Sequence, residues 1–295
     1  MNRLCLLLSA ALVGCPSTGV GTDDDDSSVP DLVPKFGSTV IGGDRPANVV
    51  VPATYDGLEE APLLILLHGY GASAQLQDFY FRYSARADED GFLLVLPDGT
   101  DDFSGTPFWN ARPESGEPID DVAYLTALID EMEETWRVDP SRIYFAGHSN
   151  GGYMSYRMAC EIPGRLAGIL NFAGLSPYMD EQWCSPTEPV SVLHVHGTQD
   201  DQVPYAPTSG RLGAEEVTSL WAERAGCDIG ASEDGGALDL IDGIEGSETV
   251  IKNYEVGCAE RRSVSLWTLE EGGHLPLFND GWAEQTIGWL LEHRR

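Results

Sequence analysis

A serine lies at the centre of residues 147–151, Gly-His-Ser-Asn-Gly, which have the pattern Gly-x-Ser-x-Gly. Residues 143–146 before it form a short apolar run that indicates a buried strand, and residues 150–161 have the spacing of a helix. In a sharp turn between a strand and a helix, this pattern presents the serine hydroxyl as a nucleophile. We therefore expect Ser149 to be a catalytic nucleophile.

A serine hydroxyl is a weak nucleophile that requires a base, and in chains with such a turn the acid and then the histidine follow the serine. Of the six histidines, His274 lies in a glycine-containing loop directly after the last predicted strand, so we expect it to be the base. The alternative is a solvent-exposed loop histidine. His194 is expected to face a covering helix, and His196 to make a structural hydrogen bond. The remaining three precede the serine or lie in a C-terminal tail expected to be exposed: His68, His148 and His293.

Two adjacent carboxylates, Asp200 and Asp201, follow the predicted strand at residues 190–195. We expect Asp200 to orient the imidazole of His274, because a turn that directs one carboxylate inward leaves its neighbour in solvent. Asp201 remains the alternative. The acid would accept the imidazole N–H and stabilise the imidazolium without taking the proton.

Acyl transfer also requires two N–H groups that stabilise an oxyanion. The backbone N–H of Asn150 follows the nucleophile at the start of the predicted helix. The second N–H is expected from Tyr70, in the glycine-rich loop at residues 68–73 after the predicted strand at residues 63–67.

The elements that must position these residues alternate in kind. Continuous apolar runs predict buried parallel strands at residues 63–67, 92–96, 143–146, 166–173, 190–195 and 264–269. Helical spacing predicts helices at residues 121–136, 150–161, 214–225 and 282–292. Shorter strands at residues 39–41 and 48–51 indicate an antiparallel edge. The pattern predicts an α/β fold with a mostly parallel central sheet of about eight strands and helices on both faces.

The composition limits the partners of this fold. The chain has 295 residues, of which 42% are hydrophobic, so it can bury the core of one large domain. Its formal net charge of −31 makes nucleic acid an unfavourable partner, because so acidic a surface repels phosphate. We expect a monomer that needs neither a metal nor an organic cofactor.

The N-terminus has the layout of an export signal. A basic start and a short apolar run over residues 1–14 precede Cys15, and this junction resembles a bacterial lipobox, whose cysteine is lipidated. Residues 15–34 are polar and contain four consecutive aspartates, so they indicate a flexible acidic tether before a catalytic domain at residues 35–295. The alternative is an ordinary cleaved signal. We expect a protein that is secreted or anchored to the outer membrane through Cys15 only.

Export changes the interpretation of the six cysteines. Once Cys5 is removed with the signal and Cys15 is assigned to lipid, four remain, which allow three pairings. Pairings that close local segments are favoured, namely Cys160 with Cys184 and Cys227 with Cys258. Without a Cys-x-x-Cys spacing, a zinc site or redox pair has little support.

From about residue 45 onward the chain resembles the α/β-hydrolase family of polyhydroxybutyrate depolymerase-like and feruloyl esterase-like secreted esterases. The segments that carry the resemblance are residues 61–71, 96–99, 108–111, 120–122, 147–152, 196–200, 203–205 and 272–274. The resemblance implies a triad of Ser149, Asp200 and His274, a cleft near Trp109 and Asn110, and the two disulfides. Leu275 and Pro276 stand where many relatives have a tryptophan before the proline, so substrate preference does not transfer.

These features predict a serine ester hydrolase that forms an acyl-enzyme. The substrates expected are feruloyl or acetyl esters of polysaccharide, or polyhydroxyalkanoate-type esters, with Tyr153 and Tyr205 among the aromatics beside the cleft. The short connection at residues 174–188 predicts an open cleft without a large lid. The insertion at residues 228–254 is expected at the end of the sheet opposite Ser149, leading into an edge strand. The alternatives are a serine peptidase of the same fold and an inactive surface binding protein.

Overall fold

The structure is a computed structural model that describes residues 34–112, 118–176, 184, 186–259 and 261–295. One compact unit begins at Val33 and ends at Arg295. The predicted export signal, Cys15 and nearly all of the tether lie outside the described residues. Most of the connection at residues 174–188, where no large lid is expected, also lies outside them. In the part of the chain that the structure describes, no helix has the length and apolar character needed to cross a membrane.

Twelve β-strands form in the described residues. They are β1 (Val40–Ile41), β2 (Ala47–Val50), β3 (Ala61–Leu67), β4 (Leu93–Pro97), β5 (Thr100–Asp101), β6 (Pro107–Phe108), β7 (Val138–His148), β8 (Gly168–Phe172), β9 (Ser191–Gly197), β10 (Glu233–Leu238), β11 (Thr249–Tyr254) and β12 (Val264–Leu269). Ten of them form one sheet in the order β1-β2-β4-β3-β7-β8-β9-β12-β11-β10, and β5 pairs with β6 separately.

The centre of the sheet is parallel and its two edges are antiparallel. Strands β4, β3, β7, β8, β9 and β12 are parallel neighbours. These are the six buried strands expected from the sequence, and β1 and β2 form the expected antiparallel edge. The predicted mostly parallel sheet is therefore confirmed.

The expected count of about eight strands is too low, because β10 and β11 form a second antiparallel edge. Strand β10 is polar, glycine-rich and almost fully exposed, so it has no hydrophobic pattern that could reveal it. The location expected for residues 228–254 is also wrong in part. Since Thr249 pairs with Leu269 at the end of β12, the connection between β10 and β11 lies at the same end of the sheet as His274.

Six α-helices cover the two faces in the described part of the chain. They are α1 (Ala74–Phe81), α2 (Tyr83–Asp90), α3 (Asp121–Thr135), α4 (Asn150–Glu161), α5 (Ala214–Arg224) and α6 (Gly281–Glu292). The last four were predicted. Helices α1 and α2 were not, because the exposed Leu76 and Phe79 leave α1 without a continuous apolar stripe.

Two buried clusters lie on opposite faces of the sheet, because successive strand residues point to opposite sides. In β3, Leu63 and Ile65 join one cluster, which α3, α4 and α5 cover. Leu64 and Leu66 join the other cluster, which packs against α1, α2 and α6. Because the six central strands are parallel, the loops that follow them lie at one end of the sheet.

Both expected disulfides are present. Cys160 of α4 is bonded to Cys184, and Cys227 after α5 is bonded to Cys258 after β11. His293 differs from its expected exposure. It lies just after α6, is half-buried, and its ring nitrogens contact the hydroxyl of Ser263 at 2.5 Å and the carbonyl of Trp289 at 2.7 Å.

Candidate active site

Ser149 lies in the tight turn between the end of β7 and the start of α4. Its backbone has φ 51° and ψ −115°, a positive φ that is uncommon for a residue other than glycine. The glycines permit the turn, because a Cβ at Gly147 would overlap the carbonyl oxygen of Gly151, and one at Gly151 would overlap that of Leu67. The N–H of Ser149 donates to the carbonyl of Phe172 in β8 at 2.7 Å, which holds the turn against the sheet.

The first turn of α4 supplies unpaired N–H groups at this position. Ser149 is the N-cap residue, and no side chain caps the helix. The backbone N–H of Asn150, the first helical residue, therefore has no partner within the helix. Such a group stabilises negative charge that develops at a helix N-terminus.

His274 follows β12 and contacts the carboxylate of Asp200, which follows β9. Nδ1 of His274 is 2.7 Å from Oδ2 of Asp200, and both side chains are buried. The two loops meet because β9 and β12 are parallel neighbours. Asp201 is exposed. Of the two candidate carboxylates, the structure brings Asp200 to His274.

The surroundings of Asp200 keep its carboxylate ionised. Its Oδ1 accepts the backbone N–H groups of Gln202 at 2.9 Å and Val203 at 2.8 Å. Burial alone would raise the pKa of Asp200, but hydrogen bonds from His196, His274 and the Val203 N–H outweigh it and hold the pKa well below its usual range. An ionised Asp200 fixes the Nδ1–H tautomer of His274, and this leaves Nε2 bare as a proton acceptor.

His148, the last residue of β7, packs against His274. Their ring centroids are 4.9 Å apart, and Nε2 of His148 is 3.1 Å from the carbonyl oxygen of His274. Because a carbonyl only accepts, this Nε2 carries a proton. Burial, and next the charge on His274 when it is protonated, lowers the pKa of His148 to about 3. His148 therefore stays neutral at neutral pH and fixes the backbone of the His274 loop.

Two cavities share Ser149 and Gln202 in their linings. The cavity that we name the His274 cavity has a volume of about 260 Å³, and its lining includes Gly69, Tyr70, Gln77, Tyr80, His148 and His274. The second, the Trp109 cavity, has a volume of about 330 Å³, and its lining includes Trp109, Asn110, Arg112, Asn150, Tyr153 and Arg211. The candidate nucleophile thus lies where the two cavities meet.

The side chain of Asn150 anchors the wall of the Trp109 cavity. Its Oδ1 accepts the backbone N–H of Trp109 at 2.7 Å, and its Nδ2 donates to the Trp109 carbonyl at 2.9 Å. The indole Nε1 of Trp109 donates to the carbonyl of His68 at 3.1 Å. Asn150, the glycine-rich loop at residues 68–73 and the cavity wall at Trp109 are therefore held together by three hydrogen bonds.

Tyr70 lies in the glycine-rich loop after β3 and lines the His274 cavity. Its ring is exposed, and its hydroxyl donates to Asp102 at 2.7 Å. The buried Gln77 steadies this loop, because its Oε1 accepts the N–H of Gly69 at 3.3 Å. The loop therefore reaches the cavity of Ser149, while the oxyanion role of the Tyr70 N–H stays a prediction.

Three of the four residues predicted to contact substrate, Trp109, Asn110 and Tyr153, line the Trp109 cavity. Tyr205 is not among the described residues that line either cavity. Its ring meets that of His196 edge-on with the centroids 5.8 Å apart, and its hydroxyl is 2.9 Å from that of Thr268. Tyr205 therefore packs against His196, outside the described linings of the two cavities.

No sequence signal pointed to several cavity residues that belong to no motif, among them Gln77, Tyr80, Arg112, Gln202 and Arg211. His196 had a visible signal. It lies near the end of β9, four residues before Asp200 in the chain, and its Nε2 is 3.3 Å from the Asp200 carboxylate. Across the described ranges, no group of three or more His, Cys, Asp or Glu side chains is placed to hold a metal ion.

Comparison with known sequences identifies a family for this chain. Residues 50–224 match the profile of a family described as Phospholipase/Carboxylesterase. A putative esterase, NocK, of Nocardia uniformis subsp. tsuyamanensis is 29% identical over 73% of this chain and 65% of its own length. Feruloyl esterase B of Piromyces equi is 30% identical over 78% of this chain and 42% of its own length. The chain thus spans less than two thirds of these curated relatives.

Among solved structures, the acetyl xylan esterase from Aspergillus awamori superposes with a TM-score of 0.61. The match covers 87% of this chain and all of that chain at 14% sequence identity. At so low an identity the likeness concerns the fold, and it confirms the predicted α/β-hydrolase architecture.

Proposed function

The chain belongs to the Phospholipase/Carboxylesterase family, and from this membership we propose that it is a serine carboxylic-ester hydrolase that works through an acyl-enzyme. The observation that carries the proposal is the contact of His274 with Asp200 at 2.7 Å, beside a cavity that Ser149 and His274 both line. Serine acyl transfer requires a nucleophile, a base and an orienting acid. The names of the relatives support an ester as the substrate.

The first half of the proposed reaction forms the acyl-enzyme. The hydroxyl oxygen of Ser149 attacks the ester carbonyl while Nε2 of His274 takes its proton. The carbonyl oxygen becomes an oxyanion, which the N–H groups of Asn150 and Tyr70 stabilise. His274 then gives its proton to the departing alcohol, and the acyl group stays bonded to Ser149.

The second half repeats the proton transfers with water. His274 takes a proton from water, the resulting hydroxide attacks the acyl carbonyl, and Ser149 leaves with the proton returned by His274. Asp200 stays ionised throughout and stabilises the imidazolium. The products are a carboxylic acid and a regenerated enzyme.

The linings of the two cavities suggest how an ester lies in the site. The leaving oxygen must reach His274 to be protonated, and His274 lines the His274 cavity. The alcohol is therefore assigned to that cavity and the acyl group to the Trp109 cavity, whose walls include Trp109 and Tyr153. Aromatic walls suit a flat or hydrophobic acyl group.

We propose feruloyl or acetyl esters of polysaccharide, or polyhydroxyalkanoate-type esters, as the substrate class. A feruloyl esterase of Piromyces equi and a poly(3-hydroxybutyrate) depolymerase of Ralstonia pickettii are among the relatives by sequence. An exported enzyme, secreted or anchored through a lipidated Cys15, is consistent with the pairs Cys160–Cys184 and Cys227–Cys258.

The test combines a covalent probe with a substrate panel. A fluorophosphonate should label the protein at Ser149, and Ser149→Ala should lose both the label and ester hydrolysis. The control is Ser219→Ala on α5, whose hydroxyl contacts Tyr254 away from the cavities. The panel comprises methyl ferulate, acetylated xylan, hydroxybutyrate oligomers and nitrophenyl esters. Hydrolysis by Ser149→Ala within about tenfold of the parent would refute the assignment, since a triad serine supplies on the order of 10⁶ in kcat.

The same experiments separate the two alternatives. A serine peptidase would label at Ser149 but would hydrolyse a peptide amide in preference to the panel esters. An inactive binding protein would neither label nor turn over any ester.

A further inference from the structure

A chain of buried polar side chains runs from helix α4 to the Asp200 carboxylate. The Tyr156 hydroxyl is 2.7 Å from Nδ1 of His194, and Nε2 of His194 is 3.2 Å from Nδ1 of His196. Nε2 of His196 is 2.7 Å from the carbonyl oxygen of Val203 and 3.3 Å from Oδ2 of Asp200. The same Oδ2 contacts His274, so the chain continues to the catalytic base.

The acceptors at one end determine the proton positions. Nε2 of His196 faces the Val203 carbonyl and an ionised carboxylate, both of which only accept, so this nitrogen carries a hydrogen. In a neutral ring Nδ1 of His196 is then bare and accepts a hydrogen bond from Nε2–H of His194. Nδ1 of His194 must in turn be bare.

An independent contact at the other end requires the same arrangement. Nδ2 of Asn171 donates to the carbonyl of Gly174 at 3.0 Å, which identifies it as the NH₂ group. This NH₂ is 3.3 Å from Nδ1 of His194, and a donor at this place again requires a bare Nδ1. The Tyr156 hydroxyl therefore donates to His194, and each donor in the chain points toward the end formed by the Val203 carbonyl and the Asp200 carboxylate.

The side chains that lead to Asp200 are buried in the core. Tyr156, His194 and His196 are fully buried, and the ring of Tyr156 packs against Trp221 in the core. Burial drives the pKa of His194 well below its usual range and that of Tyr156 well above it. Neither group ionises near neutral pH, so the donor directions persist over the working range.

We propose that His196 is a positioning residue, fixed by His194 and Tyr156, which holds Oδ2 of Asp200 toward His274 and shares the negative charge of that carboxylate. The proposal rests on the proposed function. Asp200 otherwise depends on two backbone N–H groups at Oδ1, which leave Oδ2 to the two histidines. With the His196 donor removed, the carboxylate can rotate, and its charge attracts a proton on its imidazole partner more strongly.

Other titratable groups face Asp200 from the neighbouring elements. His148 at the end of β7 acts on it electrostatically and stays neutral because its pKa is lowered to about 3. Tyr153 of α4 also acts on it, and burial raises the pKa of Tyr153. His148 and Tyr153 both stay neutral near neutral pH, so they do not contribute to the acidic limb of the pH profile of kcat/KM. A change in that limb when His196 is replaced therefore reports on Asp200 and His274.

The first experiment measures the tautomers of His194 and His196 by ¹⁵N NMR on the intact protein. We expect a proton on Nε2 and a bare Nδ1 in both rings. A protonated Nδ1 in His196 would overturn the proposal, and this measurement does not depend on hydrolysis or on a variant that folds.

The second experiment compares His196→Leu, which removes the donor, with His196→Gln, whose Nε2 can still donate. For His196→Leu we expect a loss of about tenfold in kcat, KM within about twofold, and an acidic limb of kcat/KM shifted up by about half a pH unit. His196→Gln should recover most of the kcat. The control is His293→Leu, which removes a half-buried histidine with two contacts at the opposite end of the sheet.

The proposal fails if His196→Leu keeps the kcat and pH profile of the parent, or if His293→Leu changes them equally. If the parent neither hydrolyses esters nor labels at Ser149, the proposed function fails, while the tautomers still test the donor chain. If the parent hydrolyses esters but the tautomers are reversed, only the positioning role fails.

Discussion

The imidazole of His274 and the carboxylate of Asp200 are 2.7 Å apart although 74 residues separate them in the chain. The register of β9 and β12 brings them together, because Gly197 pairs with Leu269 where both strands end. The loops then continue side by side, and the N–H of Gln199 donates to the carbonyl of Gly272 at 2.8 Å. The geometry of the pair is thus a property of the sheet.

We expect Asp200→Asn to lower kcat by about 10³ to 10⁴, because an amide can donate to Nδ1 of His274 and stabilise the wrong tautomer. Asp201→Asn is the matched control, since Asp201 is exposed and should retain activity within about twofold. Steady-state kinetics on a nitrophenyl ester would measure both. Equal losses in the two variants would contradict the assignment of Asp200.

Gly147→Ala should disrupt the turn at Ser149. The added Cβ would overlap the carbonyl oxygen of Gly151, so the turn must open, at a cost of about 1 to 3 kcal/mol in the free energy of unfolding. Fluorophosphonate labelling should fall together with hydrolysis. Gly288→Ala in α6 is the control, because nothing lies within 4 Å of its Cβ position. That change should stabilise the helix by about 0.5 to 1 kcal/mol, and a Gly147→Ala protein with normal labelling would show that the turn tolerates a side chain.

His148 should make the free energy of unfolding depend on pH. Its pKa is lowered from 6.5 to about 3 in the folded protein, so below pH 6.5 the unfolded chain binds a proton that the folded protein does not. Stability due to neutral His148 is therefore complete above pH 6.5 and is lost as the pH falls toward 3, by about 1.4 kcal/mol per pH unit. The free energy of unfolding, measured with urea between pH 4 and 6, should change less steeply with pH for His148→Leu than for the parent. Identical pH dependence in the two proteins would exclude this contribution of His148.

The Trp109 cavity should favour an acyl group that has a negative charge at its far end. Its lining has two arginines, Arg112 and Arg211, and no carboxylate among the described residues, in a chain with 48 acidic and 17 basic residues. The guanidinium of Arg112 lies 5.7 Å from the ring centroid of Tyr153. We expect Arg211→Gln to lower kcat/KM about tenfold for an acyl group ending in a carboxylate, and much less for its neutral methyl ester.

The control for this comparison is Arg165→Gln, because Arg165 pairs with Asp130 and Glu133 on the surface of α3. Arg165→Gln should leave kcat/KM unchanged for both the charged and the neutral ester. The preference for the charged acyl group should weaken at high salt, since partly exposed charges are screened. Equal kcat/KM of the parent for the charged and neutral esters would contradict the predicted preference of the Trp109 cavity for a negatively charged acyl group.

Features that depend on local pattern were predictable before the fold was known. Continuous apolar runs identified the six parallel strands, because strands buried on both faces need apolar side chains throughout. The glycines around Ser149 marked the turn, because only residues without a Cβ allow its close backbone contacts. Cysteine count left three pairings open, and the favoured pairing that closes two local segments, which the family resemblance also implies, is the one present.

Tertiary structure alone decided the features that depend on register between distant segments. Strand β10 was invisible because it is exposed and lacks a hydrophobic pattern, and only its pairing with β11 defines it. The choice of Asp200 over Asp201 as the partner of His274 depends on the turn after β9 and its alignment with the loop after β12. The donor chain from Tyr156 through His194 and His196 joins a helix to two strand residues, and no spacing in one segment encodes such a contact. These contacts become definite when the sheet and its covering helices pack, because packing fixes side-chain directions that local sequence leaves open.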